Sequence, residues 1–139
     1  RKIIFSLSID DFEDQHNKNR KVNNLFNNAL ESYRIIRGFG GSFMANIAIT
    51  VSHTNHKIVM ELYHHLLGQG IKAVTVTAVR DEGVYKIPPE EKKLILTSYS
   101  QLSEQIAEDM KSKKLEGYAS NTMLGRLINK KKLYSESNY

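Results

Sequence analysis

The sequence predicts an α/β domain made of three parallel βα units and a long C-terminal helix. Residues 2–10, 43–52 and 71–79 have the alternation or β-branched enrichment of strands, and the segments between them repeat apolar residues at spacings of three and four. The connections are too long for tight hairpins, so parallel strands with right-handed helical crossovers follow. Three parallel strands cannot close a barrel, and both faces of such a sheet want cover. One side is therefore expected to be shielded by the late helices or by another chain.

In the first strand Ile3, Phe5, Leu7 and Ile9 share one face, while Ile4, Ser6, Ser8 and Asp10 share the other. A polar stretch over 11–20 leads to Val22, Leu25, Phe26, Ala29, Leu30, Tyr33 and Ile36, which form one helical stripe. Gly38 is the expected stop, with Gly40-Gly41 as the turn. The second strand sets Phe43, Ala45, Ile47, Ile49 and Val51 against Met44, Asn46, Ala48, Thr50 and Ser52. Asn55 is the expected N-cap of a helix carrying Ile58, Val59, Leu62 and Leu66 and ended by Gly68-Gln69-Gly70. After the Val- and Thr-rich third strand, Pro88-Pro89-Glu90-Glu91 opens a long helix, because proline fits the first turn and acids suit the positive end of the dipole. Its stripe is Ile95, Tyr99, Leu102, Ile106 and Met110, and a last helix is expected around Met123, Leu124, Leu127 and Ile128.

The 139 residues, 40% hydrophobic and 25% charged, suit one ordinary core and exclude a disordered chain. No run approaches eighteen consecutive apolar residues and the start lacks the regions of a signal peptide, so the expected compartment is the cytoplasm. The chain enters an apolar run directly from Arg1 and is expected to be a piece of a longer protein. The absence of cysteine excludes disulfides, thiolate zinc, a cysteine nucleophile and any cysteine-ligated iron–sulfur cluster carried by these residues. Net charge is +5, and residues 111–134 alone hold seven basic residues against Glu116. A solvated helix face or linker accounts for such a run, and a binding patch for an anionic partner is the other reading.

In parallel α/β architectures ligands bind beyond the carboxyl ends of the strands, where successive loops converge beside helix N-termini. Ser8 and Asp10 end the first strand, Thr50 and Ser52 the second, and Thr77 nears the end of the third. Such small groups read hydroxyls, amines and carboxylates, although at strand ends they equally cap helices and turns. Asp10 suits two ribose hydroxyls or an ammonium, and the planar fork of Arg20 suits a carboxylate. His53 and His56, or the adjoining His64 and His65, lack an acidic partner at metal-ligand spacing, so no metal site is expected. Gly38-Phe39-Gly40-Gly41-Ser42 precedes a strand, whereas a phosphate loop lies between a strand and a helix, so it reads as a turn. Asp81 and Glu82 read as a solvated loop.

The run Phe5-Ser6-Leu7-Ser8-Ile9-Asp10, followed by His16 and Arg20, resembles the fourth strand and following loop of radical S-adenosylmethionine enzymes. Ile47-Ala48-Ile49-Thr50-Val51-Ser52-His53-Thr54-Asn55 resembles their fifth strand, and Gly70 to Gly83 is similar to the sixth strand and its exit. The resemblance spans residues 2–115. It implies that residues 1–115 are the C-terminal half of a TIM-like partial (β/α) barrel, followed by a basic helical extension or linker over 116–139. In such an enzyme a 4Fe-4S cluster reduces S-adenosylmethionine to methionine and a deoxyadenosyl radical. By position, Ser8 and Asp10 would face the cofactor's ribose or methionyl part, Arg20 its carboxylate, and Thr50, Ser52 and Asn55 the cofactor or substrate edge. Two departures stand out. The three-cysteine cluster motif and the first three strands are absent, and Asp11 replaces the usual glycine. The chain is thus expected to be inactive alone and to bind no cofactor by itself. Its expected partner is the missing N-terminal half of the barrel, with self-association through the edge of the first strand as a further possibility, and neither a membrane nor nucleic acid is expected. The alternative function is a non-enzymatic α/β interaction module whose basic tail binds an acidic partner or RNA.

Overall fold

A computed structural model describes residues 3–12, 25–79 and 86–116. The elements run β1 (Ile3–Ser8), α1 (Leu25–Phe39), β2 (Phe43–Val51), α2 (Val59–Gly68), β3 (Val74–Ala78) and α3 (Pro89–Lys111). The strands form one sheet in the order β1-β2-β3, and both pairings are parallel. Ile3 lies across from Phe43 and Ser8 from Ala48, while Ile47 lies across from Val74 and Val51 from Ala78. The α/β architecture, the strand direction and the long C-terminal helix are those the sequence predicts.

Element ends differ from the expectation for local reasons. β1 and β3 are shorter, because the ladder continues beyond them only through single bonds, from Ile9 N to Ala48 O and from Val79 N to Val51 O. Ile71 N instead donates to Leu66 O and closes the end of α2. Gly38 does not stop α1, which runs on to Phe39. The left-handed turn falls on Gly40 and Gly41 at φ 62° and 59°, where a β-carbon would be strained. Asn55 is not the N-cap of α2. A run of turns separates it from Val59, and Ile58 holds the cap position without a side-chain bond. α3 begins as expected, with Pro89 in its first turn beside Glu90 and Glu91. The helix expected near Met123 and the Asp81-Glu82 loop lie outside the described residues.

Alternation along β2 divides the sheet into two unlike faces. Ala45, Ile47, Ile49 and Val51 are buried with Val74, Val76 and Ala78 beneath helices, α1 covering β1 and β2 and α3 covering β3 and β2. Leu30 and Tyr33 of α1, Leu62 and Leu66 of α2, and Ile95, Tyr99, Leu102 and Ile106 of α3 complete this core. On the other face lie Ile4, Ser6, Ser8, Met44, Asn46, Ala48, Thr50, Thr75 and Thr77. Asn46 bridges the three strands there, its Nδ2 donating to Ser6 Oγ at 3.2 Å and Thr75 Oγ1 at 2.9 Å.

Two polar contacts pin the helices. The Tyr33 hydroxyl accepts the Lys72 N–H at 2.8 Å, tying α1 to the approach to β3. Between α2 and α3 the buried Tyr63 hydroxyl donates to Asp109 Oδ2 at 2.5 Å, and Gln105 Nε2 donates to Asp109 Oδ1 at 3.1 Å. The main-chain oxygen of Asp109 also accepts from the N–H groups of Lys114 and Leu115, closing the end of α3. Burial, reinforced by Asp109, raises the Tyr63 phenol far above its ordinary range, and burial likewise raises that of Tyr99.

Tyr63→Phe leaves buried Asp109 short of a donor and is expected to lower stability by about 1–3 kcal/mol in urea unfolding. The folded chain holds these phenolic protons at a pH where the unfolded chain releases them. Their contribution is therefore complete below about pH 10 and is lost as pH rises above it. Unfolding free energy should fall on the alkaline side, and the fall should be smaller in Tyr63→Phe.

Candidate functional site

The carboxyl end of the sheet is assembled from the exits of β1 and β2. Ile9 turns fully into the core, which fixes the backbone just before Asp10 and carries that carboxylate toward the neighbouring strand. Asp10 Oδ1 accepts the Thr50 N–H at 2.9 Å, so a side chain just past β1 caps the β2 backbone. Thr50 Oγ1 in turn accepts from Thr77 Oγ1 at 3.5 Å, extending the hydroxyl row to β3 on the face opposite the core.

Asn55 is the centre of this arrangement and is only 2% exposed. Its Nδ2 donates to Asp10 O at 2.7 Å and to Thr50 O at 2.8 Å, one bond to each strand exit. Its Oδ1 accepts from Ser52 N at 2.8 Å and from Ser52 Oγ at 3.4 Å. Both amide protons and the carbonyl are thus engaged by the chain itself, which makes Asn55 a positioning residue. Ser52 Oγ also lies 2.9 Å from Thr54 Oγ1 and accepts the Thr54 N–H at 3.3 Å, so the loop leaving β2 is closed on itself.

Among the residues singled out from the sequence, Asp10, Thr50, Ser52 and Asn55 are brought together. Ser8 lies one alternation earlier, exposed on the face away from the helices and across from Ala48. Arg20 lies outside the described residues. Asp11, at the position where the resemblance expects glycine, is buried and accepts the Phe12 N–H at 2.8 Å. Its backbone is not in the left-handed region, so the conformation there does not call for glycine.

The cluster offers hydrogen-bonding groups of the kind that read hydroxyls and amines. Among the described residues no group of three His, Cys, Asp or Glu side chains stands ready for a metal ion. Two histidine rings pack against aromatic neighbours. His65 lies against Phe12 and Phe26 at 5.5 and 6.0 Å, and His64 against Tyr63 at 5.5 Å. A cavity of about 270 Å³ opens at the other end of the sheet, beside the Gly40-Gly41 turn and Phe43, and is crossed by the Arg37–Glu116 ion pair. Hydrogen bonding to Glu116 raises the Arg37 guanidinium further above its ordinary value.

Sequence reasoning missed the role of Asn46. The available signal was a residue of low β-propensity in the middle of an otherwise apolar and β-branched strand. It also missed Asp109, which stands three residues after Ile106 and so interrupts the apolar stripe of α3 with a charge.

Asn55→Ala is expected to cost about 1–3 kcal/mol by leaving the Asp10 and Thr50 carbonyls short of a donor. Hydrogen exchange should register it as faster exchange at the Thr50 and Ser52 amides, with the α2–α3 core amides affected only through global stability. Asn55→Asp keeps the shape, removes both amide protons and should be at least as costly. In comparison with protein-family models, curated proteins and solved structures, the chain matches none.

Proposed function

We propose that the chain is part of a radical S-adenosylmethionine enzyme and supplies one side of the cofactor and substrate site. The observation that supports this reading best is the meeting of Asp10, Thr50, Ser52 and Asn55 at the carboxyl end of a parallel sheet whose described helices pack on one face. The three strands are then half of a barrel, and the face bearing Ser6, Ser8, Asn46 and Thr75 is its interior. Ser8 and Asp10 serve the cofactor's ribose or methionyl part, Thr50 and Ser52 the cofactor or substrate edge, and Arg20 the carboxylate. Asn55 acts through Asp10 and Thr50.

The 4Fe-4S cluster does not fit this chain. Its usual ligands are thiolates, the sequence has no cysteine, and the described residues offer no substitute cluster. In this reading its ligands belong to the rest of the parent protein, and the residues of this chain act on the cofactor and substrate alone. The second reading, a non-enzymatic module for an acidic partner or RNA, is favoured by Lys111, Lys113 and Lys114, which are exposed at the end of α3 where the basic region begins.

The parent reading frame upstream of residue 1 tests the proposal directly. A Cys-x3-Cys-x2-Cys run is expected there, and its absence would overturn the enzyme reading. In the protein that carries the run, Asp10→Ala should weaken S-adenosylmethionine binding by at least about ten-fold, the size of one lost hydrogen bond to a charged group, with the cluster absorbance unchanged. Unaltered affinity would remove Asp10 from the site. Salt-sensitive retention of an RNA oligonucleotide by the chain, lost on replacing Lys111, Lys113 and Lys114, would favour the second reading.

A further inference from the structure

β1 is an edge strand, hydrogen-bonded on one side to β2 and, among the described residues, to no strand on the other. Ile3 N and Ile9 N donate toward β2, so in this parallel ladder the odd residues bond inward. The N–H and C=O groups of Ile4, Ser6 and Ser8 therefore face outward. Sheet edges are commonly guarded by charge, proline or a bulge, and residues 3–8 carry no charge and no proline.

The apolar surface beside this edge is large. Ile3 is 49% exposed, Phe5 40%, Phe43 42% and Phe39 73%. The Phe5 and Phe43 rings lie 6.0 Å apart and those of Phe39 and Phe43 6.3 Å, so the patch is continuous from β1 to the end of α1. These side chains leave on the order of 400 Å² of apolar surface open, in the size range in which a monomer's largest apolar patch is often functional. A standard interface takes roughly 800 Å² per partner, so the patch supplies about half of one and the strand edge adds its backbone groups.

We propose that β1 docks a second copy of this chain, the two strands pairing antiparallel about a two-fold axis at Phe5. The strand's own pattern selects this occupant. A two-fold contact brings each residue near its own copy, so a charged edge would repel itself and an uncharged one does not. Directly opposite residues lie on the same face of a sheet, so the register must set odd residues against odd ones to keep both helix layers on one side. With Phe5 across from Phe5, Ile3 meets Leu7 and the apolar face continues through the junction. Ile4 and Ser6 then form the hydrogen-bonded pairs that use the outward backbone groups, and Phe5 occupies a non-hydrogen-bonded pair. The result is a continuous six-stranded sheet whose helices share one side. This contact is proposed for the 139-residue chain by itself; in the half-barrel reading the same edge receives the preceding strand of the longer protein, and the two occupants exclude each other.

The chain has no cysteine, so a single Phe5→Cys substitution gives a lone reporter. Its two copies would have Cα atoms about 4.5 Å apart, within disulfide range, whereas Ile4→Cys would stand at least about 7–8 Å from its copy and out of reach. Mild oxidation is expected to cross-link Phe5→Cys and not Ile4→Cys. Sedimentation of the unmodified 139-residue chain should show a reversible, concentration-dependent dimer. Ile4→Lys should raise its dissociation constant at least ten-fold with the far-ultraviolet dichroism unchanged. A chain that stays monomeric at every concentration overturns the proposal and leaves the edge to a strand from elsewhere in a longer protein. A dimer that Ile4→Lys leaves intact overturns it as well, and a dimer cross-linked by Ile4→Cys rather than Phe5→Cys overturns the register.

Discussion

Crossovers between neighbouring parallel strands turn the same way, so a sheet ordered β1-β2-β3 receives its helices on a single face. The remaining features of the domain depend on that asymmetry. One face, with Ile47, Ile49, Val51, Val74 and Val76, becomes the core beneath α1 and α3. The other can keep serines, threonines and an asparagine because no described helix packs on it. Asn46 makes that face coherent, since its amide engages both flanking strands and compensates for burial within the sheet.

The same asymmetry gives the two ends of the sheet different chemistry. At the carboxyl end, the side chain of Asn55 supplies donors to the backbone carbonyls of both strand exits. Asp10 adds a charged acceptor to the Thr50 amide, so the loop geometry is fixed by polar contacts rather than by packing. At the amino end, the helix termini are closed by glycine turns, by the bond from Lys72 to Tyr33 and by the Arg37–Glu116 pair. That pair is partly exposed and adds little to stability. The buried contact from Tyr63 to Asp109 holds α2 to α3 and matters more, because an unpartnered carboxylate between two helices would be costly.

Burial falls off from the centre of the sheet to β1. Central β2 is flanked on both sides and covered by helices, whereas Ile3, Ile4 and Phe5 are exposed on both faces of an edge. A strand so rich in β-branched and aromatic residues has a high intrinsic preference for pairing. The fold of the described residues satisfies only one of its two sides.

The order of elements, the parallel direction and the buried stripes of α1 and α3 were legible in the sequence, because the two-residue and three-to-four-residue periods follow from backbone geometry alone. Proline and two acids likewise marked the start of α3 from local chemistry. Tertiary structure decided what local rules leave degenerate. An asparagine just after a strand satisfies the pattern of an N-cap, yet Asn55 reaches back 45 positions to Asp10 and 5 to Thr50, and only the approach of two strand exits offers it those carbonyls. Nothing local to Asp109 names its partner, and its burial depended on Tyr63 arriving from α2, 46 residues away. Gly40-Gly41 was legible as the turn, whereas α1 runs one residue past the stop expected at Gly38, and the pairing of Phe43 with Ile3 begins beyond the turn. Periodicity and capping are properties of a segment, whereas the partner of a polar group is a property of the packed chain. The sequence therefore determined the elements and the faces, and tertiary structure decided which side chains hold them together.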